Sequence, residues 1–192
     1  MLGQSSLACP LPAPVAGHVL CARLLSVSTH QPIELIDITD SVADLVRDTG
    51  LRNGQVVLLS RHTTAAVRIQ ENEPLLLDDL RDFLAGLAPS ASAYRHNDFR
   101  VRTHHMHPDE RPNGHAHCLQ LLLGSSESVP VVDGALALGT WQRLFLVELD
   151  GPRPERQVLV QVSGQTRYSA LADRSIVMNG RGRPLRARQV AA

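Results

Sequence analysis

The segment SVPVVDGALALGTWQRLFLVELDGPRPERQVLVQVS decides the fold class. It contains stretches rich in Val and Leu, which predict strands over residues 128–132, 135–138 continuing into 141–149, and 156–163. Asp133-Gly134 is a dipeptide typical of a two-residue hairpin turn. Strands joined by such a turn are antiparallel, so this segment predicts an antiparallel sheet.

The remainder of the chain, up to residue 123, is predicted to contain both strands and helices. Apolar or alternating stretches predict strands over 18–28, 33–38, 55–60 and 65–70, with the last two as partners and Asn53-Gly54 as a turn. Helices are predicted from a cap at Thr39 or Asp40 to Gly50, from Pro74 onward, and over 115–123. The predicted fold class is α+β, a compact single domain with packed, mostly antiparallel β-sheets and two or three helices.

The helix that begins at Pro74 is the most strongly patterned one. Its apolar residues recur at helical spacing and form one stripe, namely Leu76, Leu80, Phe83, Leu84 and Leu87. Residues 89–113 follow it without periodicity. A loop of this length inside a compact domain is more often functional than decorative.

Length and composition exclude several classes of protein. The chain has 192 residues, 43% hydrophobic and 20% charged, as in soluble globular proteins. The sequence has no run of 18 apolar residues, which argues against a membrane span. All 19 basic residues are Arg, which excludes a Schiff-base lysine and a Walker-type phosphate loop. The net charge of zero argues against a dedicated nucleic-acid-binding protein.

The two ends of the chain differ from its middle. Residues 1–17 hold three prolines and predict a flexible N-terminal extension, while residues 18–164 form the predicted domain. Residues 165–192 carry six Arg and one Asp, a net charge of +5, and predict an Arg-rich tail. Cys9, Cys21 and Cys118 form no CxxC motif, and no signal peptide is recognisable, so we expect a cytoplasmic protein.

Histidine is the strongest chemical signal in the sequence. Six of the nine histidines lie within residues 96–117. Histidine titrates near neutral pH and is the commonest metal ligand, so the cluster predicts a metal site or an acid–base site. The alternative is a solvated polar loop. His117 would lie near the start of a helix, where the helix dipole favours the neutral imidazole.

Carboxylates and arginines accompany these histidines. Glu71 and Asp98 are candidate acid–base or metal-binding groups, whereas Glu73 suits the electrostatics of a helix N-terminus. Arg recognises phosphate bidentately. The candidate anion-binding residues are Arg61, Arg111, Arg143, Ser125 and Ser126.

Five blocks of the sequence form a recognisable pattern. They are His62-Thr63-Thr64-Ala65-Ala66, Glu71-Asn72, Tyr94-x-His96-Asn97-Asp98, Asn113-Gly114-His115-Ala116-His117 and Gly139-Thr140-Trp141-Gln142. Together they resemble the YjbQ-like family, whose members are often labelled secondary thiamine-phosphate synthases. The likeness covers about residues 18–163 and departs from the family pattern at Gln70, at Asn97 and at Glu73-Pro74.

The resemblance implies a homotrimer with a polar cleft that acts on a small metabolite or a phosphate anion. The residues carried over as catalytic are His62, Glu71, Asn72, Asp98, Trp141 and Gln142. A divalent metal, zinc or magnesium, is expected there, with His62, His96, His115 and His117 as candidate ligands. The implied activity is a weak thiamine phosphate synthase.

Three alternatives follow for this cleft. It belongs to an enzyme that acts on a phosphorylated or heterocyclic metabolite, or to a non-catalytic trimeric protein that binds a metal or metabolite. The third alternative is that the histidines are structural groups at a trimer interface. For the first two, His62, Glu71 and His117 are expected close together, where a strand end faces a helix N-terminus.

Overall fold

The computed structural model describes residues 17–166, and these fold as an α+β unit. The strands are β1 His18–Thr29, β2 Glu34–Asp37, β3 Leu51–Ser60, β4 Ala65–Gln70, β5 Ser126–Val132, β6 Ala135–Leu136, β7 Arg143–Glu148 and β8 Arg153–Thr166. The helices are α1 Thr39–Thr49, α2 Pro74–Leu87 and α3 Gly114–Leu123, with a short 3₁₀ turn at Arg95–Asn97.

Two antiparallel sheets organise the chain. The larger has the order β1-β8-β3-β5-β6, and the smaller has the order β2-β7-β4. Asp133 and Gly134 both have positive φ, as the predicted hairpin between β5 and β6 requires. The prediction of an α+β fold with mostly antiparallel sheets is confirmed.

Strand β7 lies between two apolar layers, which explains its continuous apolar sequence. Leu144 and Leu146 face the core shared with the large sheet and α1. Phe145 and Val147 face the opposite way, toward Leu84 of α2 and the apolar side of α3. The small sheet is therefore the middle layer of the molecule. Polar residues lie where its strands begin and end, at one edge near Arg143 and at the opposite edge near Glu148.

Two strand-level predictions are wrong. Asn53-Gly54 makes no turn but continues β3, because Gly54 lies opposite Gly164 of β8. A Cβ on Gly54 would come within 2.1 Å of the Ser163 carbonyl oxygen, so only glycine permits this approach. Strand β4 does not pair with β3; it pairs with β7 in the small sheet, and like β7 it is buried on both faces, with Ala65 and Val67 on one side and Ala66 on the other.

The helix starts are set by neighbouring side chains. Thr39 does not cap α1 with its side chain, because its hydroxyl accepts the Leu144 N–H at 2.7 Å; Asp37 accepts the Thr39 N–H instead. Glu73 accepts the N–H groups of Leu75 and Leu76, which confirms its predicted role at the start of α2.

The apolar stripe of α2 is largely exposed in the single chain. Only Leu84 of the stripe is buried, whereas Phe83 is 63% and Leu87 51% exposed. Within residues 17–166, no helix has the length and apolar character needed to cross a membrane.

The predicted domain boundaries lie near the limits of the described residues. Strand β8 extends through Thr166, two residues into the segment assigned to the C-terminal tail. The predicted extension, except Gly17, and the rest of the tail lie outside the described residues.

Candidate functional site

A polar cleft of about 710 Å³ opens at the edge where β7 ends and β4 begins. Twelve residues line it, and five of them are histidines, so the predicted histidine-rich loop does converge on one cavity. The lining consists of Thr63, His96, Arg102, His104, His105, His107, Asp109, Glu110, Arg111, Asn113, His117 and Arg153.

His96 and His117 line this cleft and contact each other. Their rings meet edge to face, with centroids 4.6 Å apart. Burial, followed by the nearby His96, lowers the pKa of His117, so its imidazole is neutral at pH 7. His96 Nε2 is buried and has no hydrogen-bond partner. A neutral imidazole beside an unpartnered nitrogen is suited to proton transfer or ligand binding.

The 3₁₀ turn holds His96 against α3. Asn97 Oδ1 accepts the N–H groups of Asn113 and Gly114 at 3.0 and 2.9 Å. Gly114 lies so close to Tyr94 that a Cβ would come within 2.6 Å of the Tyr94 Cβ. Asn97 therefore occupies two N–H groups at the start of α3. The sequence predicted a ligand at this N-terminus, but the Asn97 side chain takes that place.

Asp150, which the sequence analysis did not select, supports the cleft from below. Its buried carboxylate accepts from Arg111 at 3.2 Å and from Asn113 Nδ2 at 3.2 Å, and it pairs with Arg153. Asn113 is 8% exposed, and its Oδ1 has no partner. Arg111 and Arg153, two of the three arginines that line the cleft, are thus already neutralised in part.

His62 lies beside the cleft and takes part in a separate network. Its Nε2 accepts the Gln157 N–H at 2.7 Å. Burial, and then the charge of Arg156, lowers the pKa of His62. The next residue, Thr63, lines the cleft, so His62 anchors the loop rather than facing the ligand space.

The fully buried Glu148 fixes the same loop. It accepts two hydrogen bonds from Arg156 at 2.6 and 2.5 Å, and Arg156 also donates to Thr64 Oγ1 at 3.1 Å. Burial raises the pKa of Glu148, but the hydrogen bonds and charge of Arg156, together with hydrogen bonds from the Asp150 N–H and the Thr29 hydroxyl, outweigh it, and the net pKa is lowered. Glu148 lies in an apolar strand and Asp150 follows it closely. A carboxylate within or next to an apolar strand is a sequence signal that could have identified both residues.

Glu71 and Asn72, which the family resemblance predicted as catalytic, lie at the opposite edge of the small sheet from the cleft. Glu71 and Asn72 follow β4, whose six residues span about 20 Å. Asn72 donates to Asp37 at 2.9 Å, and Arg143 pairs with Asp37 at 2.7 Å and with Asp40 at 3.0 Å. Within one chain, the structure does not bring Glu71 to His117.

Trp141 and Gln142 belong to the loop before β7. Trp141 is 71% exposed, and Gln142 Oε1 accepts the Gly139 N–H at 2.8 Å. Both precede Arg143, so they lie toward the edge of the Asp37–Arg143 pair rather than at the cleft.

Five further candidates lie outside the cleft lining, and four of them have local partners. Arg61 donates to Gln157 Oε1 at 2.8 Å, and Asp98 pairs with Arg100, which lowers the pKa of Asp98. Ser125 accepts the Ser60 N–H through its backbone oxygen, and Ser126 begins β5. His115 packs near Tyr94, with ring centroids 6.4 Å apart. These residues are absent from the cleft lining; of the five predicted anion-binding residues, Arg111 alone is part of it.

The described residues do not fit the expected metal centre. Between residues 17 and 166, no group of three or more His, Cys, Asp or Glu side chains is arranged to hold a metal ion. His62 Nε2 is already engaged, and His115 does not line the cleft. His96 and His117 are the only two of the four predicted ligands that this part of the chain brings together in the cleft.

Comparison with known proteins identifies the family of the chain. The model of the UPF0047 protein YjbQ-like family matches residues 23–165, which is most of the chain. The chain belongs to the YjbQ-like family. A UPF0047 protein of Methanothermobacter thermautotrophicus is 40% identical over 141 residues, covering 73% of this chain and 90% of that protein. The YugU protein of Bacillus subtilis is 33% identical, covering 68% and 91%.

Solved structures of similar proteins share the fold. A YbjQ-like protein of unknown function from Sulfolobus solfataricus has a TM-score of 0.68 and 35% identity, covering 77% of this chain and 99% of its own. A hypothetical protein from Aeropyrum pernix has a TM-score of 0.65 and 36% identity, covering 74% and 97%. The resemblance predicted from the sequence blocks is confirmed at the level of family and fold.

Proposed function

We propose that the histidine cleft is an active site for a small phosphorylated heterocyclic metabolite, with His96 and His117 acting on the bound ligand. The observation that carries this proposal is the His96–His117 pair, since it joins a neutral imidazole to a buried, unpartnered ring nitrogen. Perturbed titratable groups that converge in a cleft are typical of catalytic sites.

The arginines of the cleft support an anionic ligand. Arg111 and Arg153 are 40% and 33% exposed in their side chains, and both hold Asp150. A phosphate would compete for their outer N–H groups, and guanidinium binds phosphate bidentately. Arg61 and Arg143 lie elsewhere, so any phosphate held by this chain's cleft uses Arg102, Arg111 or Arg153.

Thiamine phosphate synthesis is the specific reaction proposed. A thiazole nitrogen attacks the methylene carbon of a hydroxymethylpyrimidine diphosphate, a C–N bond forms, the C–O bond breaks and diphosphate leaves. Imidazole and guanidinium N–H groups would stabilise the leaving diphosphate. A divalent ion stays a prediction, and no step is assigned to it.

The test compares the purified full chain with His117→Ala in a thiamine phosphate assay with and without Mg²⁺. General acid–base or hydrogen-bonding groups contribute about 10²–10⁴-fold, so we expect turnover to fall at least about 100-fold. His30→Ala is the matched control, because His30 is exposed at the end of β1. No product from the unaltered chain would refute the synthase activity, and equal turnover in His117→Ala would refute the cleft as its site.

A non-catalytic binding protein is the second candidate. The pairing of Arg102 with Glu110, and of Arg111 and Arg153 with Asp150, favours it, because the cleft then has too little free positive charge to stabilise a leaving diphosphate, while outer N–H groups remain for a single phosphate. Calorimetry with thiazole phosphate would show His117-dependent binding without turnover in that case.

A homotrimer is proposed as the assembly. Exposed Phe83 and Leu87 on α2 and Leu121 and Leu122 on α3 support an association that covers apolar surface. Glu71 reaches a cleft only from a neighbouring copy, because β4 separates it from the cleft of its own chain. Light scattering tests the assembly, and a mass near 20.9 kDa would contradict it. A cytoplasmic location also stays a prediction.

A further inference from the structure

Glu110 is a carboxylate that lies outside every predicted motif, and it stands beside the histidine pair. Its Oε1 lies 3.7 Å from Nε2 of His96, and its side chain is only 14% exposed. His96 Nε2 has no other polar partner. A shortening of about 0.7 Å would make this contact a hydrogen bond.

Arg102 holds Glu110 in this position. The two side chains form an ion pair, in which Arg102 is 16% exposed. Arg102 also donates to the His96 carbonyl at 3.5 Å and to the His105 carbonyl at 3.1 Å. The His107 N–H approaches Glu110 Oε2 at 3.4 Å. Glu110 is therefore restrained at both of its oxygens, and Oε1, which accepts from Arg102, is also the oxygen that faces His96.

We infer that Glu110, restrained by Arg102, is a positioning residue for His96 that determines which nitrogen of its imidazole carries the proton. An ionised carboxylate only accepts hydrogen bonds, so the ring nitrogen facing it is the protonated one. His96 is then the Nε2–H tautomer, and Nδ1 is its basic nitrogen. Carboxylates commonly orient functional imidazoles in this way.

The surroundings of His96 are consistent with this role. His117 contacts the ring of His96 edge to face, Arg102 lies on the Glu110 side, and Asp109 and Arg111 line the same cleft. The ion pair with Arg102 lowers the pKa of Glu110, so the carboxylate is ionised at neutral pH. Only the catalytic use of His96 rests on the proposed function; the effect of Glu110 on the His96 tautomer does not.

The test is the tautomer of His96 in the full chain, read from long-range ¹H–¹⁵N NMR spectra and assigned with His96→Gln. We expect the Nε2–H signature in the unaltered chain and a mixture of tautomers in Glu110→Gln, since an amide both donates and accepts. Asp109→Asn is the matched control, because Asp109 is the adjacent exposed acid in the same cleft. It should leave the spectrum unchanged.

Glu110→Asp should keep the Nε2–H signature, because the carboxylate is retained. In the synthase assay, Glu110→Gln should lower kcat about 10–100-fold with KM changed less than twofold. An unaltered His96 spectrum in Glu110→Gln, an equal change in Asp109→Asn, or unfolding of both Glu110 variants would overturn the inference. A chain without synthase activity would refute the proposed function, while the tautomer still tests Glu110.

Discussion

The two edges of the small sheet carry polar clusters of similar composition but different organisation. At the edge near Arg143, the groups satisfy one another: Asp37 accepts from Asn72 and Arg143, and Asp40 also pairs with Arg143. At the cleft edge, His96 Nε2 and Asn113 Oδ1 are buried without partners. Unsatisfied buried polar atoms cost stability and are retained where function uses them. The difference favours the cleft edge over the Arg143 edge as the place of the proposed ligand site.

The largest expected effect concerns the support beneath the cleft. Glu148→Gln leaves the buried Arg156 guanidinium without its counter-charge and should lower the free energy of unfolding by about 3–5 kcal/mol. At the opposite edge, Asp40→Asn removes an 85% exposed partner of Arg143 and should change it by less than about 0.5 kcal/mol. Urea unfolding measures both, and equal effects would remove the contrast between the two edges.

The next effect tests the close contact that sets His96 against α3. Gly114→Ala forces a Cβ against Tyr94 and should cost about 1–3 kcal/mol, because backbone or ring must shift. Gly86→Ala is the control in α2, where a Cβ meets nothing within 4 Å; it should stabilise the protein by about 0.5–1 kcal/mol. Thermal unfolding of both variants checks the prediction, which fails if Gly114→Ala is neutral.

Two asparagines allow a direct comparison of the edges. Asn97→Ala deprives two N–H groups at the start of α3 of their acceptor and should cost about 1 kcal/mol. Asn72→Ala removes one exposed hydrogen bond to Asp37 and should cost at most about 0.5 kcal/mol. NMR should also show the His96 ring displaced in Asn97→Ala only. A larger loss of stability in Asn72→Ala would reverse our interpretation.

The smallest effect is a pH dependence. Burial lowers the pKa of His62 and His117 in the folded protein, so near and below pH 6.5 the unfolded chain binds more protons. The free energy of unfolding should therefore decrease from pH 8 to pH 5.5. His62→Gln keeps an acceptor for the Gln157 N–H and should flatten this slope. An unchanged slope would show that His62 is not a source of it.

Local patterns in the sequence predicted much of the secondary structure and the family. Alternation and apolar runs gave strand positions within a few residues, Asp133-Gly134 gave the hairpin, and Glu73-Pro74 gave the start of α2. These features depend on interactions between residues that are near in sequence, which is why a single sequence contains them. The histidine density predicted a metal or acid–base site within residues 96–117, and five of the six histidines there line one cleft.

The tertiary structure alone decided which residues share a site. Glu71 follows the same strand that His62 precedes, yet the extension of β4 carries it to the far edge. Glu110 and Asp150 reach the cleft only because α3 and the turn of Asn97 pack against the end of β7. Pairing of β4 with β7 instead of β3 is a contact between residues about 80 positions apart. Such contacts are selected by the packing of whole layers, and no local pattern of residues specifies them.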